Sequence, residues 1–223
     1  MALPSAAPSR PLGTFPLRGV VPYITAWSAE SEKEQSATLV AHRGRLAYAD
    51  EHPLDRDRFG ILWRRFGVSP GKGRPEYGAV HTLRQRRAMR RVLCQVCGGP
   101  ADESRDGVLW LMGRAEYERE PWPAPVESPH PPVCLTCAVR AVRLCPHLRD
   151  HYTAVRARRF HLSGVYGALY VPGPYQPQAL GVATLALDDG RTRWLQASQL
   201  IMRLTDYRVV DLDAEAAAQG LSV

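Results

Sequence analysis

Two cysteine pairs are the residues of this 223-residue sequence whose type and spacing most clearly predict chemistry. Two residues separate Cys94 from Cys97, and two separate Cys134 from Cys137. That spacing lets a tight turn direct both thiolates at one ion, with zinc–sulfur bonds of about 2.3 Å. One pair fills half of a tetrahedron and the other pair completes it. The 36 residues between the pairs are compatible with this, because loop closure costs grow only logarithmically with length.

The pattern therefore predicts one zinc ion bound by four thiolates. Such a site has no open position for water or substrate, and closed sites of this kind are structural far more often than catalytic. Iron, alone or in an iron–sulfur cluster, is an alternative on the same sulfurs. Two disulfides or a redox pair are less favoured, since there is no secretory signal and no recognisable βαβ unit. Covalent haem is disfavoured because Gly98 and Ala138, not His, follow the pairs.

Three further residues near the pairs are weaker metal candidates. Cys145 lies eight residues beyond Cys137, which is about 12 Å along a continuous helix, so we interpret it as a packed thiol. His147 follows it in a Cys-Pro-His sequence, and His130 precedes the second pair among prolines. Neither histidine has a predicted role.

The surroundings of the pairs resemble a treble-clef zinc finger over Val92 to Leu144. Gly98-Gly99 permits the backbone of a zinc knuckle, a strand is predicted over 108–112, and the second pair begins a helix. The sequence around the two cysteine pairs also resembles that of actinobacterial zinc-binding proteins of unknown activity. The resemblance implies a fold, with Cys94, Cys97, Cys134 and Cys137 as ligands, and no reaction. The predicted strand offers no His for the metal-dependent nuclease site that some treble clefs carry.

Arginine clusters on both sides of the finger predict a nucleic-acid-binding surface. The chain carries 29 basic and 22 acidic residues, a net charge of +7, and only Lys33 and Lys72 are Lys. Arginine on a helix face can follow a phosphate backbone. A solvated face and the codon bias of a GC-rich genome are the alternatives. The predicted contacts are Arg84, Arg86, Arg87, Arg90 and Arg91 on a basic helix, and Arg156, Arg158 and Arg159 after the second pair.

Two functional classes follow from these observations. The first is a zinc-stabilised nucleic-acid-binding or regulatory protein, and the second is a zinc-stabilised protein–protein adaptor. An enzyme, including an iron or haem protein, is less favoured because the histidines are scattered and no nucleophile elbow or phosphate loop is present. The sequence contains no stretch of about 20 consecutive apolar residues, so we expect no membrane-spanning helix. A cytoplasmic protein whose partner is nucleic acid or another protein is expected.

The element pattern predicts an α+β fold with a central treble-clef finger and a β-rich C-terminal part. We expect a flexible leader (1–19), a strand-and-helix region (20–91), the finger with its Pro-rich insert (92–147), a β-rich region (148–212) and a frayed tail (213–223). Within these regions the sequence predicts a strand at 23–27 and a hairpin at 38–48. It predicts helices at 57–66, 76–93, 138–144 and 197–204, and strands at 108–112, 164–171, 182–187, 192–195 and 208–212.

Overall fold

The computed structural model describes residues 21–30, 38–119, 123–149 and 151–221, so the predicted leader lies outside the described residues. The strands are β1 Thr25–Trp27, β2 Leu39–His42, β3 Arg45–Tyr48, β4 Leu62–Trp63, β5 Pro75–Val80, β6 Glu103–Ser104, β7 Gly107–Gly113, β8 Val126–Ser128, β9 Tyr152–Val171, β10 Gln178–Ala186 and β11 Leu195–Val210. The α-helices are α1 Thr82–Arg91, α2 Arg114–Tyr117, α3 Leu135–Leu144 and α4 Leu212–Ala218, and short 3-10 helices lie at Pro53–Asp55 and Gly190–Trp194. The fold is therefore mixed α and β, as the sequence predicts.

Two long antiparallel strands, β9 and β11, form the centre of a seven-stranded sheet. The first part of β9 also pairs with β7, and its last part pairs with β10. Strands β4 and β8 pair with β11, and β6 pairs with β7. Because β7 belongs to the predicted finger region, that region and the C-terminal region share one sheet. Two small sheets, β1–β5 and β2–β3, lie outside it.

The basic helix α1 packs against this sheet through a buried glutamine. The side-chain amide of Gln85 donates to the carbonyls of Pro129 and Leu200, at 2.9 Å each, and accepts the Leu200 N–H at 3.0 Å. All its hydrogen-bonding groups except one lone pair are thus used inside the protein, which makes its burial tolerable. Ala88 and Met89 complete the buried face of the helix.

Two adjoining cores position the cysteine pairs. The larger core lies between the sheet and α1 and contains Trp110 and Leu204, both fully buried. The smaller core contains Cys94 and Cys137 together with apolar residues of β7, α3 and α4. The region that contains the cysteine pairs is consequently part of the main body of the protein.

Several predicted elements are confirmed and others are wrong. The β2–β3 hairpin, strand β7 and helix α3 match their predictions. The helix predicted over 57–66 is wrong, because the Asp57 carboxylate accepts the N–H groups of Phe59 and Ile61 and stabilises a turn before β4. The helix predicted from residue 76 begins only at Thr82, since residues 75–80 pair with β1 as strand β5.

The C-terminal region also differs from the prediction. The segment 197–204, predicted to be a helix, lies within β11, where consecutive residues Leu200, Ile201 and Met202 are all buried. The strand predicted at 192–195 is wrong, because Gly190–Trp194 is a 3-10 helix, and the strand β11 that follows pairs with β9 and not with β10. Instead of fraying, residues 212–218 form α4, capped by the Asp211 carboxylate.

Candidate metal centre

The four predicted cysteines come together at one point of the structure. Their sulfur atoms all lie within 4.8 Å of one another, and the Sγ atoms of Cys97 and Cys134 are 3.9 Å apart. A tetrahedron with metal–sulfur bonds of about 2.3 Å has edges of about 3.8 Å. The cysteines are therefore positioned to hold one metal ion.

The first pair lies in a tight turn whose backbone hydrogen bonds aim both sulfurs the same way. The Cys94 N–H donates to the Gly99 carbonyl and the Gly98 N–H donates to the Cys94 carbonyl, both at 2.8 Å. Gly98 has a φ of +73°, in the left-handed region that favours glycine. A Cβ at Gly98 would also lie 3.0 Å from the ring of Tyr23, so both backbone and packing require glycine here.

The extended segment that precedes the second pair holds it next to the first pair. The Gln95 N–H donates to the Pro132 carbonyl at 2.9 Å, which ties this segment to the first pair. The Val133 N–H donates to the Leu109 carbonyl at 3.0 Å, which ties it to β7. These bonds explain how 36 intervening residues return the chain to Cys97.

Helix α3 begins at the second pair. Cys134 is the N-cap residue and Cys137 lies in the first turn. The partial positive charge of a helix N-terminus favours nearby anions and lowers the free energy of a thiolate there. The order of elements around the sulfurs is thus a knuckle, the β6–β7 hairpin and a helix.

The environment of the sulfurs differs strongly from one to another. Burial raises the pKa of Cys94 to about 11 and also raises the pKa of Cys137. Burial opposes ionisation of Cys97 as well, but the Gly99 N–H and the neighbouring thiols outweigh it and lower the pKa of Cys97. Cys97 is exposed, so one vertex of the cluster faces solvent.

The weaker metal candidates lie outside the cluster. Cys145 is the C-cap residue of α3, one helix length from Cys134. The Nε2 atom of His130 is 3.4 Å from a carboxylate oxygen of Glu116, and His147 is exposed. Neither histidine belongs to the four-sulfur group.

The structure uses three of the eight predicted nucleic-acid contacts internally. Arg84 forms an ion pair with the buried Glu30 at 2.7 Å. Arg156 is 1% exposed, and its Nη2 atom is 2.6 Å from carboxylate oxygens of both Asp102 and Glu215. Neither guanidinium is presented to solvent, so these two predicted contacts are corrected to structural residues.

Arg86 is the third of these internal arginines. Its guanidinium lies 4.0 Å from the centre of the Trp63 ring, a cation–π contact. Burial lowers the pKa of Arg86 to about 10, and its Nε atom is buried without a hydrogen-bond partner. Arg86 is partly buried and is therefore not one of the exposed arginines of α1.

The other five predicted contacts are exposed, on two separate surfaces. Arg87, Arg90 and Arg91 lie on α1, where Arg87 donates to the Tyr23 hydroxyl at 3.3 Å and Arg90 is 3.8 Å from Asp57. Arg158 and Arg159 lie on β9 and share the carboxylate of Asp206, at 3.3 and 3.6 Å.

A second basic element was missed at the sequence level. Helix α3 presents Arg140 and Arg143 on its exposed face, and Arg149 follows the helix. The signal that could have identified them is an absence of acidic residues. Segments 77–101 and 129–149 contain all four metal-site cysteines and eight arginines but no Asp or Glu. The remainder of the chain therefore has 21 basic and 22 acidic residues, a net charge of −1.

Among the described residues, no helix is both long and apolar enough to cross a membrane. No family model matches this chain, and neither the curated proteins nor the solved structures yield a match.

Proposed function

We propose that this protein is a zinc-stabilised nucleic-acid-binding protein, in which a treble-clef finger presents arginines to phosphate groups. The observation that carries the proposal is the charge distribution. The two segments that contain the four cysteines carry a charge of +8, and the rest of the chain carries −1, which gives the net charge of +7. Such a concentration of one sign of charge beside one site is the electrostatic pattern of phosphate binding.

Zinc is the ion that this donor set fits best. Four thiolates at tetrahedral spacing are typical of structural zinc, and the order of knuckle, hairpin and helix supports the proposal of a treble-clef finger. Cys94, Cys97, Cys134 and Cys137 would hold the ion, which would link α3 to the knuckle. Because no coordination position is open, the ion contributes folding free energy and no chemistry.

The arginines exceed what the metal site needs for charge balance. One Zn²⁺ with four thiolates has a net charge of −2, whereas the two segments carry eight arginines. Of these, Arg84 is neutralised by Glu30. A simple role in stabilising the thiolates would leave most of the positive charge unexplained.

Three exposed arginines are the proposed phosphate contacts, namely Arg87, Arg91 and Arg140. Arg91 precedes Cys94 by three residues, so their Cα atoms are at most about 11 Å apart. Arg140 follows Cys137 by three residues on α3, a rise of about 5 Å. Among the described residues, no carboxylate forms an ion pair with any of the three. Their charges are therefore available to a ligand.

The test measures binding of the zinc-loaded full chain to fluorescent single-stranded RNA and to duplex DNA of mixed sequence at several salt concentrations. Three phosphate contacts predict that log K falls with log salt at a slope of about −2 to −3. The variant Arg87→Glu/Arg91→Glu/Arg140→Glu should lose at least about ten-fold in affinity and most of that slope.

The matched control makes the same charge change elsewhere, at three exposed arginines outside the two segments: Arg43→Glu/Arg105→Glu/Arg193→Glu. It should retain most of the affinity. Equal losses in both variants would mean that only net charge matters and would contradict the proposed surface. Absence of binding by the unaltered chain to either nucleic acid would overturn the function itself, whatever the metal content.

A further inference from the structure

The hairpin formed by the end of β9 and by β10 differs in composition from the rest of the chain. Residues 162–187 contain no Asp, Glu, Lys, Arg or His. At the overall frequency of 23% charged residues, a segment of this length would carry about six. Surface strands normally carry charge, so this absence requires a reason other than burial in the core.

The β10 strand of this hairpin and the loop that connects it to β9 are largely exposed. Leu180 and Val182 on β10 are each 63% exposed, and Tyr175 in the connecting loop is 99% exposed. Only Leu185 of β10 is buried. Exposed apolar side chains grouped on one element are typical of an interaction surface.

The edge of β10 that faces away from β9 has backbone N–H and C=O groups available for pairing with another strand. On one side β10 pairs with β9, with a regular register from Gly181 to Ala186. Among the described residues, no strand pairs with its other side. In an antiparallel strand, alternate residues direct their N–H and C=O groups away from the partner, so this edge can accept another strand.

We propose that β10 pairs antiparallel with β10 of a second copy of this chain, which joins the two seven-stranded sheets into one. Proteins commonly protect free edges with Lys or with inward-pointing charges, and β10 has neither. The bulge near Leu180 limits the pairing to the regular part of the strand.

A second copy is the occupant that the charge pattern favours. In a two-fold antiparallel pair, residue i of one copy faces residue j of the other while j faces i, and residues beside the axis face their own counterparts, so a charge near the axis would face a like charge. A strand without charges is the one sequence that avoids this repulsion at every register. A two-fold contact uses the same patch on both copies, and after two copies have paired no such patch remains free. It therefore predicts a dimer and no larger assembly.

The experiment is sedimentation equilibrium of the zinc-loaded full chain without nucleic acid, from about 1 to about 300 μM. We expect a concentration-dependent rise from 24.8 kDa to twice that mass. Val182→Lys introduces the natural edge-protecting residue and should weaken dimerisation at least ten-fold. The matched control is Val209→Lys, at a similarly exposed valine of β11 (52%), which should leave the dimer unchanged.

Hydrogen exchange identifies the contact directly. The amides of residues 181–186 that point away from β9 should be protected at high concentration and exchange faster on dilution and in Val182→Lys, while the amides of 152–157 should not change. A monomer at every concentration would overturn the proposal. So would a dimer that Val209→Lys disrupts but Val182→Lys does not, or an assembly larger than two. Protection of these outward-pointing amides in a monomer would show that the same chain covers this edge, which also contradicts pairing between copies.

Discussion

Arg84 and Glu30 form a bidentate ion pair in the interior, with Nη1–Oε1 and Nη2–Oε2 distances of 2.7 Å each. The Glu30 side chain is fully buried. Its carboxylate also accepts the N–H groups of Trp27 at 2.9 Å and Ser69 at 3.1 Å, and Arg84 donates to the Thr25 carbonyl at 2.6 Å. The pair therefore joins β1, the loop before β5 and the basic helix. It holds α1 in place instead of binding a ligand.

Removing Arg84 should be much more damaging than removing its neighbour on the same helix. Arg84→Met leaves the Glu30 carboxylate buried without its counter-ion, a situation that costs about 3–5 kcal/mol. Arg87→Met, at an exposed position, should cost less than about 1 kcal/mol. Urea denaturation of the two variants checks the difference. Similar free energies of unfolding would mean that the ion pair contributes little.

The same pair predicts a pH dependence of stability. Burial would raise the pKa of Glu30, but the hydrogen bonds from Arg84, Trp27 and Ser69 outweigh it and lower the pKa from 4.5 to about 2. Because the folded-state pKa is lower than the unfolded one, this stabilisation is complete above about pH 4.5 and disappears as the pH falls towards 2. Its full value is about 3 kcal/mol.

The measurement is the difference in unfolding free energy between the unaltered chain and Glu30→Gln from pH 2 to 6. Taking the difference removes the effect of metal release in acid, which both proteins share. The difference should shrink as the pH falls below about 4.5. A difference that is constant over the whole range would contradict the lowered pKa.

Loss of one metal-site cysteine should unfold or strongly destabilise the chain, whereas loss of the fifth should not. Cys137→Ser removes a ligand from the buried cluster, and metal binding contributes directly to folding. A loss of about 4 kcal/mol would lower the Tm by roughly 8–16 °C for a chain of this size. Cys145→Ser is the control, because Cys145 lies outside the cluster.

Metal content and thermal unfolding, measured on protein purified without added metal, test this pair of variants. The unaltered chain and Cys145→Ser should each contain one zinc per chain. Full metal content and an unchanged Tm in Cys137→Ser would refute the four-cysteine site. Iron with visible absorption in the unaltered chain would refute the assignment of zinc.

Arg156 should be essential for attaching the C-terminal helix. Its Nε and Nη2 atoms donate to Glu215 of α4 at 2.9 and 2.6 Å, and Nη1 donates to the Gly107 carbonyl at 3.0 Å. Arg156→Leu would leave the carboxylates of Asp102 and Glu215 without their shared cation, at a cost of about 3–5 kcal/mol. Hydrogen exchange of residues 212–218 should accelerate.

Arg158→Leu is the matched control two positions along β9. Its side chain is 63% exposed and forms a single ion pair with Asp206, so its removal should change stability by less than about 1 kcal/mol. If both variants were equally stable and α4 exchanged at the same rate in each, the structural role of Arg156 would be wrong.

The sequence alone determined which four cysteines form the candidate metal site, because the two-residue spacing within each cysteine pair is a local constraint that needs no tertiary information. The same holds for the β2–β3 hairpin, whose turn contains Arg43 and Gly44 in left-handed conformations, and for α3, which ends before Pro146. The mixed α and β class also follows from such local patterns.

Tertiary structure decided which segments form the long strands and which arginines are neutralised by buried carboxylates. Strand β11 buries Leu200, Ile201 and Met202 in succession, so the alternation that identifies a half-buried strand is absent. Arg84 and Arg91 look alike in the sequence, yet one meets Glu30, 54 residues away, and the other remains exposed. Which charges are neutralised depends on carboxylates distant in the chain that folding brings within 3 Å, and local sequence patterns do not contain that information.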